Sequence, residues 1–204
     1  MSKLNKIRSV FNKVEEDWFK DLPLIDLRGL DEAKKREVIL NAIRVCIEKV
    51  PLEIKEEAEE EDSSYNFISL HHDGDQSAVV ITTYYPGGSF VGLTISYCLI
   101  PPDQRGDIYE MVNLLNARPS AWRFFVSTNI DAFELESGIL ITQYFNPQEL
   151  FLLFRHMLAA GYDKLPLVEE QLSTDHSPAQ IMEKHDNEMR EFMKANPALF
   201  ENQK

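Results

Sequence analysis

Three runs rich in β-branched and aromatic residues, 65–70, 78–85 and 90–100, are separated by two short turns, His71-His72-Asp73-Gly74-Asp75 and Pro86-Gly87-Gly88. A parallel return to the same sheet needs a crossover of a dozen residues or more, so turns this short permit only antiparallel neighbours. In the third run Val91, Leu93, Ile95, Tyr97 and Leu99 alternate with Gly92, Thr94, Ser96 and Cys98, which makes one greasy face and one small or polar face. The pattern predicts a meander with one face covered by helices. Pro101-Pro102 closes it.

The stretch from Arg105 to Gly161 supplies the rest of the layers. Ile108, Met111, Val112 and Leu115 step i, i+3, i+4, i+7, one apolar stripe on a helix. Asp103 or Asp107 can cap its start, and Pro119 limits its end by forcing Arg118 towards extended geometry. Residues 122–128 read as a strand, Asn129 and Asp131 as a turn. A second strand then places Phe133, Leu135, Ile139 and Ile141 on one face and Glu134, Glu136 and Thr142 on the other, where solvated side chains are the ordinary outcome. Asn146-Pro147-Gln148-Glu149 is a helix start with cap, first-turn proline and capping-box carboxylate in place. Leu150, Phe151, Leu153, Phe154, Met157 and Leu158 make the helix apolar around more than half its girth, and Gly161 offers a left-handed stop. It is the expected central core helix. A kinked continuation through Pro166 reaches Leu172.

Upstream, Asp31 caps a helix whose broad face carries Val38, Ile39, Ala42, Ile43, Val45, Cys46 and Val50, and Pro51 ends it. Seven carboxylates lie between Glu53 and Asp62 with Lys55 as the lone base, a composition that predicts a solvated, mobile connector. At the N-terminus Leu4, Ile7, Phe11, Val14 and Trp18 step 3, 4, 3, 4. This amphipathic seam suits docking on the domain's own surface or pairing with a partner chain, and it is the candidate partner-binding element. At the other end Ser177-Pro178-Ala179-Gln180 starts a last helix with a thin stripe of Ile181, Met189, Phe192 and Met193.

The formal net charge of −13 repels phosphate backbones and anionic membranes at long range, which argues against nucleic-acid or membrane partners. A 44% hydrophobic fraction in 204 residues builds a sizeable core without staples. Cys46 and Cys98 sit in apolar elements and read as buried reduced thiols. No continuous apolar h-region and no 18-residue apolar run occur, so the expectation is a cytoplasmic protein without signal peptide or membrane span.

No catalytic constellation emerges. The Gly-x-Ser-x-Gly elbow is missing, and Pro86-Gly87-Gly88-Ser89 joins strand to strand, whereas a phosphate cradle leads into a helix. Two histidines and two aspartates between His71 and Asp75 could hold a metal or line a small-molecule pocket. Adjacent strand residues point to opposite faces, however, and Asp73-Gly74 is a hairpin signal. His156 has no Glu or His partner at the spacing of a zinc helix. No enzyme, metal or cofactor is expected.

The pattern Val112-Asn113-Leu114-Leu115-Asn116, then Trp122-Arg123-Phe124, then the strand from Phe133 to Ile141, resembles the YbjN family. That family is described as bacterial sensory-transduction regulators, with a fold akin to type III secretion chaperones. The resemblance covers residues 31–172 and marks Asn113, Leu115, Asn116, Arg123 and Phe124 as motif positions of structural use. Asn113 and Asn116 would cap and hydrogen-bond where helix meets hairpin. It implies an α+β domain, an antiparallel five-stranded sheet with helices on one face in the order α-βββ-α-ββ-α. Residues 1–30 and 173–204 would be helical extensions. The implied function is a non-enzymatic protein-binding regulator or chaperone-like adaptor, acting as a homodimer or on another protein. The competing expectation is a small-molecule or metal-sensing domain at the His71–Asp75 turn.

Overall fold

The computed structural model describes residues 22–117 and 122–197. The elements in chain order are β1 (Ile25–Asp26), α1 (Glu32–Lys49), β2 (Glu53–Glu59), β3 (Tyr65–Asp73), β4 (Gln76–Tyr85), β5 (Phe90–Leu99), α2 (Arg105–Asn116), β6 (Arg123–Ser127), β7 (Ala132–Leu140), β8 (Tyr144–Phe145), α3 (Pro147–Ser173) and α4 (Pro178–Ala195). The main sheet runs β2-β3-β4-β5-β7-β6 and every pairing in it is antiparallel. It therefore has six strands rather than five. β1 and β8 form a separate two-stranded ribbon.

The inner face of the sheet and the helices share one hydrophobic cluster. Phe67, Val80, Leu93, Ile95, Phe133 and Leu135 meet Ile43 and Cys46 of α1, Ile108 and Met111 of α2, and Phe154 and Met157 of α3. Leu22 and Leu27 before α1, and Ile181 of α4, belong to the same cluster. Cys46 is fully buried, its thiol donating to the Pro147 carbonyl oxygen at 3.3 Å, and burial pushes its pKa up to about 12. Both cysteines are free, and Cys98 is half-buried with its pKa pushed up to about 11 by the same cause.

Helix starts follow local chemistry. Asp31 accepts from the Lys34 amide, Asn146 from the Gln148 amide with Pro147 at the first turn, and Ser177 with Gln180 closes a full capping box. The start of α2 differs from expectation. A 3₁₀ turn, Pro102–Gln104, leads directly into it, and its N-cap is Gln104, with neither Asp103 nor Asp107 capping. The predicted action of Pro119 lies outside the described residues, as does the Leu4–Trp18 seam.

Residues 53–59 are not a mobile connector but the edge strand β2. Glu57 and Glu59 point to the inner face, under α1. Arg44 reaches both Glu57 carboxylate oxygens, Nε at 3.2 Å to each and Nη2 at 2.7 Å to Oε2. Tyr65 donates its hydroxyl to Glu57 at 2.9 Å, and Arg36 pairs with Glu59 at 2.8 Å. These arginines hold both carboxyls below their ordinary value of 4.5. A depressed carboxyl contributes stability above its unfolded pKa and loses it as pH falls through the folded one. Protection of the β2 amides against hydrogen exchange should therefore be lost as pH falls through these lowered carboxyl values, below the ordinary 4.5, before that of β4. Arg44→Ala should produce the same selective loss at neutral pH. Equal protection of β2 in wild type and variant would show that the pair does not hold the strand.

Two further differences concern single residues. Leu99 is 72% exposed, because a β-bulge between Ser96 and Cys98 inserts Tyr97 and flips the alternation beyond it. Gly161 does not stop its helix: α3 continues unbroken to Ser173 with Pro166 inside it, and Gly161 is buried. A Cβ built on Gly161 would lie 1.9 Å from Cζ of Tyr97, whose hydroxyl donates to the Met157 carbonyl at 2.9 Å. The glycine is a seat for a ring.

Candidate functional site

The ladder registers place the outward side chains in rows across the strands. One row is Glu53, Leu70, Val79, Ser96, Glu134 and Phe125, and the next is Glu56, Ile68, Ile81, Thr94, Glu136 and Arg123, each on β2, β3, β4, β5, β7 and β6 in turn. Each row reads carboxylate, two aliphatic side chains, a small hydroxyl, then a second carboxylate. Ile68, Leu70, Val79 and Ile81 are outside the hydrophobic cluster that unites the helices with the inner face, and Val79 is 37% exposed. This is an apolar strip without a described helix packed on it. Two glycines follow in the adjoining row, Gly92 opposite Gly138, with the Phe90 ring lying where a Cβ on Gly138 would be.

Glu134 departs from the solvated role expected of it. It is 4% exposed although it points outward. Ser96 donates its hydroxyl to Oε1, and Ser127 also hydrogen-bonds the carboxyl. Burial raises its pKa, repulsion from Glu136 raises it further, and the two serines pull it back. Directly opposite it on β6 stands Phe125, whereas Glu136 faces Arg123. Among the described residues Glu134 has no cationic partner. Period-2 patterning puts this residue on the outer face but carries no sign of its burial, which depends on flanking strands contributed from elsewhere in the chain.

The motif positions meet at the β6 edge. The Asn116 amide accepts from the Phe124 amide at 2.9 Å and donates to the Phe124 carbonyl at 2.6 Å, standing in for a neighbouring strand. Arg123 donates to the Asn116 carbonyl at 3.2 Å. Leu115 is buried, Phe124 stacks on Phe133 at 5.5 Å, and Asn113 is exposed.

The His71–Asp75 turn separates its histidines. Nδ1 of His71 lies 3.0 Å from the Tyr162 hydroxyl on the inner side, and burial lowers its pKa. Nδ1 of His72 lies 2.8 Å from the Ser77 hydroxyl on the outer side. Gly74 takes φ +64°, as a tight hairpin requires. Among the described residues no three His, Cys, Asp or Glu side chains gather as a metal set, and no helix is long and apolar enough to cross a membrane. No protein-family model matches this chain, no curated protein matches it significantly, and no solved structure matches its fold significantly.

Proposed function

We propose that this chain is a non-enzymatic protein-binding regulator or chaperone-like adaptor, acting as a homodimer or on another protein, and that it binds through the outer face of its sheet. The observation that carries the reading is the apolar strip of Ile68, Leu70, Val79 and Ile81, set apart from the hydrophobic cluster of the fold. Contiguous apolar surface of this kind marks interaction sites. The edges offer a partner less. Carboxylates and Lys55 line β2, and the Asn116 amide occupies the free backbone groups of Phe124. The YbjN-like motifs agree with a binding role, since they carry no catalytic side chain.

Sedimentation and cross-linking of the full chain test this. Wild type should self-associate or hold a stoichiometric protein partner, and Val79→Asp with Ile81→Asp should abolish that association. These positions lie outside the core cluster, so the melting temperature should stay within a few degrees. A double variant that keeps both association and fold would remove the sheet face from the reading.

A further inference from the structure

We infer that the outer face takes a basic amphipathic helix of a partner protein, laid along the strands, with a lysine or arginine of that helix seated on Glu134. The inference rests on the binding role proposed above and adds the chemistry of the occupant. From Glu53 and Glu56 on β2 to Glu134 and Glu136 on β7 there are four inter-strand steps, about 19 Å at ~4.8 Å each. A helix with its side chains is about 10–12 Å across, so it fits between the two carboxylate lines with roughly 4 Å to spare on each side. That gap suits the stem of a Lys or Arg. The floor it would rest on is aliphatic at β3 and β4 and small at β5, where Thr94 and Ser96 leave room for a helix body.

Charge selects the sign of the occupant. The four flanking carboxylates face two bases, each already engaged: Lys55 pairs with Glu53 on β2, and Arg123 is opposite Glu136 and bonded to the Asn116 carbonyl. An acidic or neutral helix would leave Glu134 desolvated beside Glu136 with only its two serine hydrogen bonds and no counter-charge. A cation from the partner relieves both the burial and the repulsion, which makes Glu134 the anchor and the other carboxylates a guiding rim. A buried carboxyl without a counter-charge, its pKa raised by burial, opposes stability at neutral pH, and a partner's cation would offset that cost.

The test uses the full chain and three probes: an 18-residue Leu/Lys amphipathic helix, its Leu/Gln analogue, and methyl NMR of the free protein. The Leu/Lys peptide should bind and shift the Ile68 and Ile81 methyls. Glu134→Gln should weaken that binding about tenfold or more while leaving the Leu/Gln analogue unaffected, and should melt no lower than wild type. Binding should also weaken as pH falls and Glu134 takes up its proton, with Glu136 and Arg123 the other charged groups beside it on β7 and β6, and Glu134→Gln should lose the corresponding part of that dependence. Equal binding of both peptides overturns the cationic anchor. The binding face itself survives that result if Val79→Asp with Ile81→Asp abolishes both. Failure of the Leu/Lys peptide to bind overturns the inference, as does NMR contact of the Ile68 and Ile81 methyls with residues 4–18 of the same chain.

Discussion

Gly161→Ala should lower the melting temperature by roughly 6–12 °C, about 3 kcal/mol for a chain of this size. The sign is what makes the result informative. In an ordinary helix interior, alanine is better than glycine by up to about 1 kcal/mol. Here the added methyl would stand 1.9 Å from Cζ and 2.1 Å from the hydroxyl oxygen of Tyr97. Tyr97 cannot give way cheaply. Its hydroxyl is committed to the Met157 carbonyl, it meets Tyr162 edge-on at 5.3 Å between ring centroids, and it packs beside Phe133 at 6.2 Å. The ring also sits at the β5 bulge, so displacing it disturbs the step at which the strand changes register. Calorimetry of Gly161→Ala, Tyr97→Ala and the double variant checks this. The alanine at 161 should cost little once the ring is gone. A neutral or stabilising Gly161→Ala in the wild-type background would mean that Tyr97 does not occupy this seat.

Short-range chemistry explains which elements were readable beforehand. Turns of a few residues fix antiparallel neighbours, and caps such as Asn146-Pro147 and Ser177-Pro178 are complete within four positions. What escaped depends on groups far apart in the chain. The carboxylates of 53–59 look solvated because their bases, Arg36 and Arg44, belong to the preceding helix and reach them only once α1 lies over β2. A helix-stopping glycine and a ring-seating glycine are identical in sequence; Gly161 is the second because Tyr97 arrives from β5. Leu99 points outward because one inserted residue reverses the alternation, and a bulge carries no composition of its own. Glu134 is the same case on the outer face. Alternation gives its direction, while its neighbours, Ser96 on β5 and Phe125 on β6, neither of them a cation, are known only from the register. The outer face of the sheet is therefore legible only strand by strand until the register is known.

Asn116→Ala should cost about 2–3 kcal/mol, because it removes two partly buried hydrogen bonds and strands a backbone donor and acceptor. Asn116→Asp separates this effect from simple packing. The carboxylate can still accept from the Phe124 amide, but it loses the donor and sets a negative oxygen near the Phe124 carbonyl. It should be at least as destabilised as the alanine variant at neutral pH. Acidification should restore part of the loss, since a protonated carboxyl regains an O–H to donate. Urea melts at two pH values, with hydrogen exchange at Phe124, read out both effects. The consequence reaches beyond stability. With the amide gone, the outward backbone groups of β6 become a template for another strand, and the variant should scatter light or self-associate through its edge. That association should survive Val79→Asp with Ile81→Asp, whereas the wild-type association proposed above should not. An Asn116→Ala protein that stays as stable as wild type, and gains no new association, would show that the β6 edge is closed by something other than this side chain.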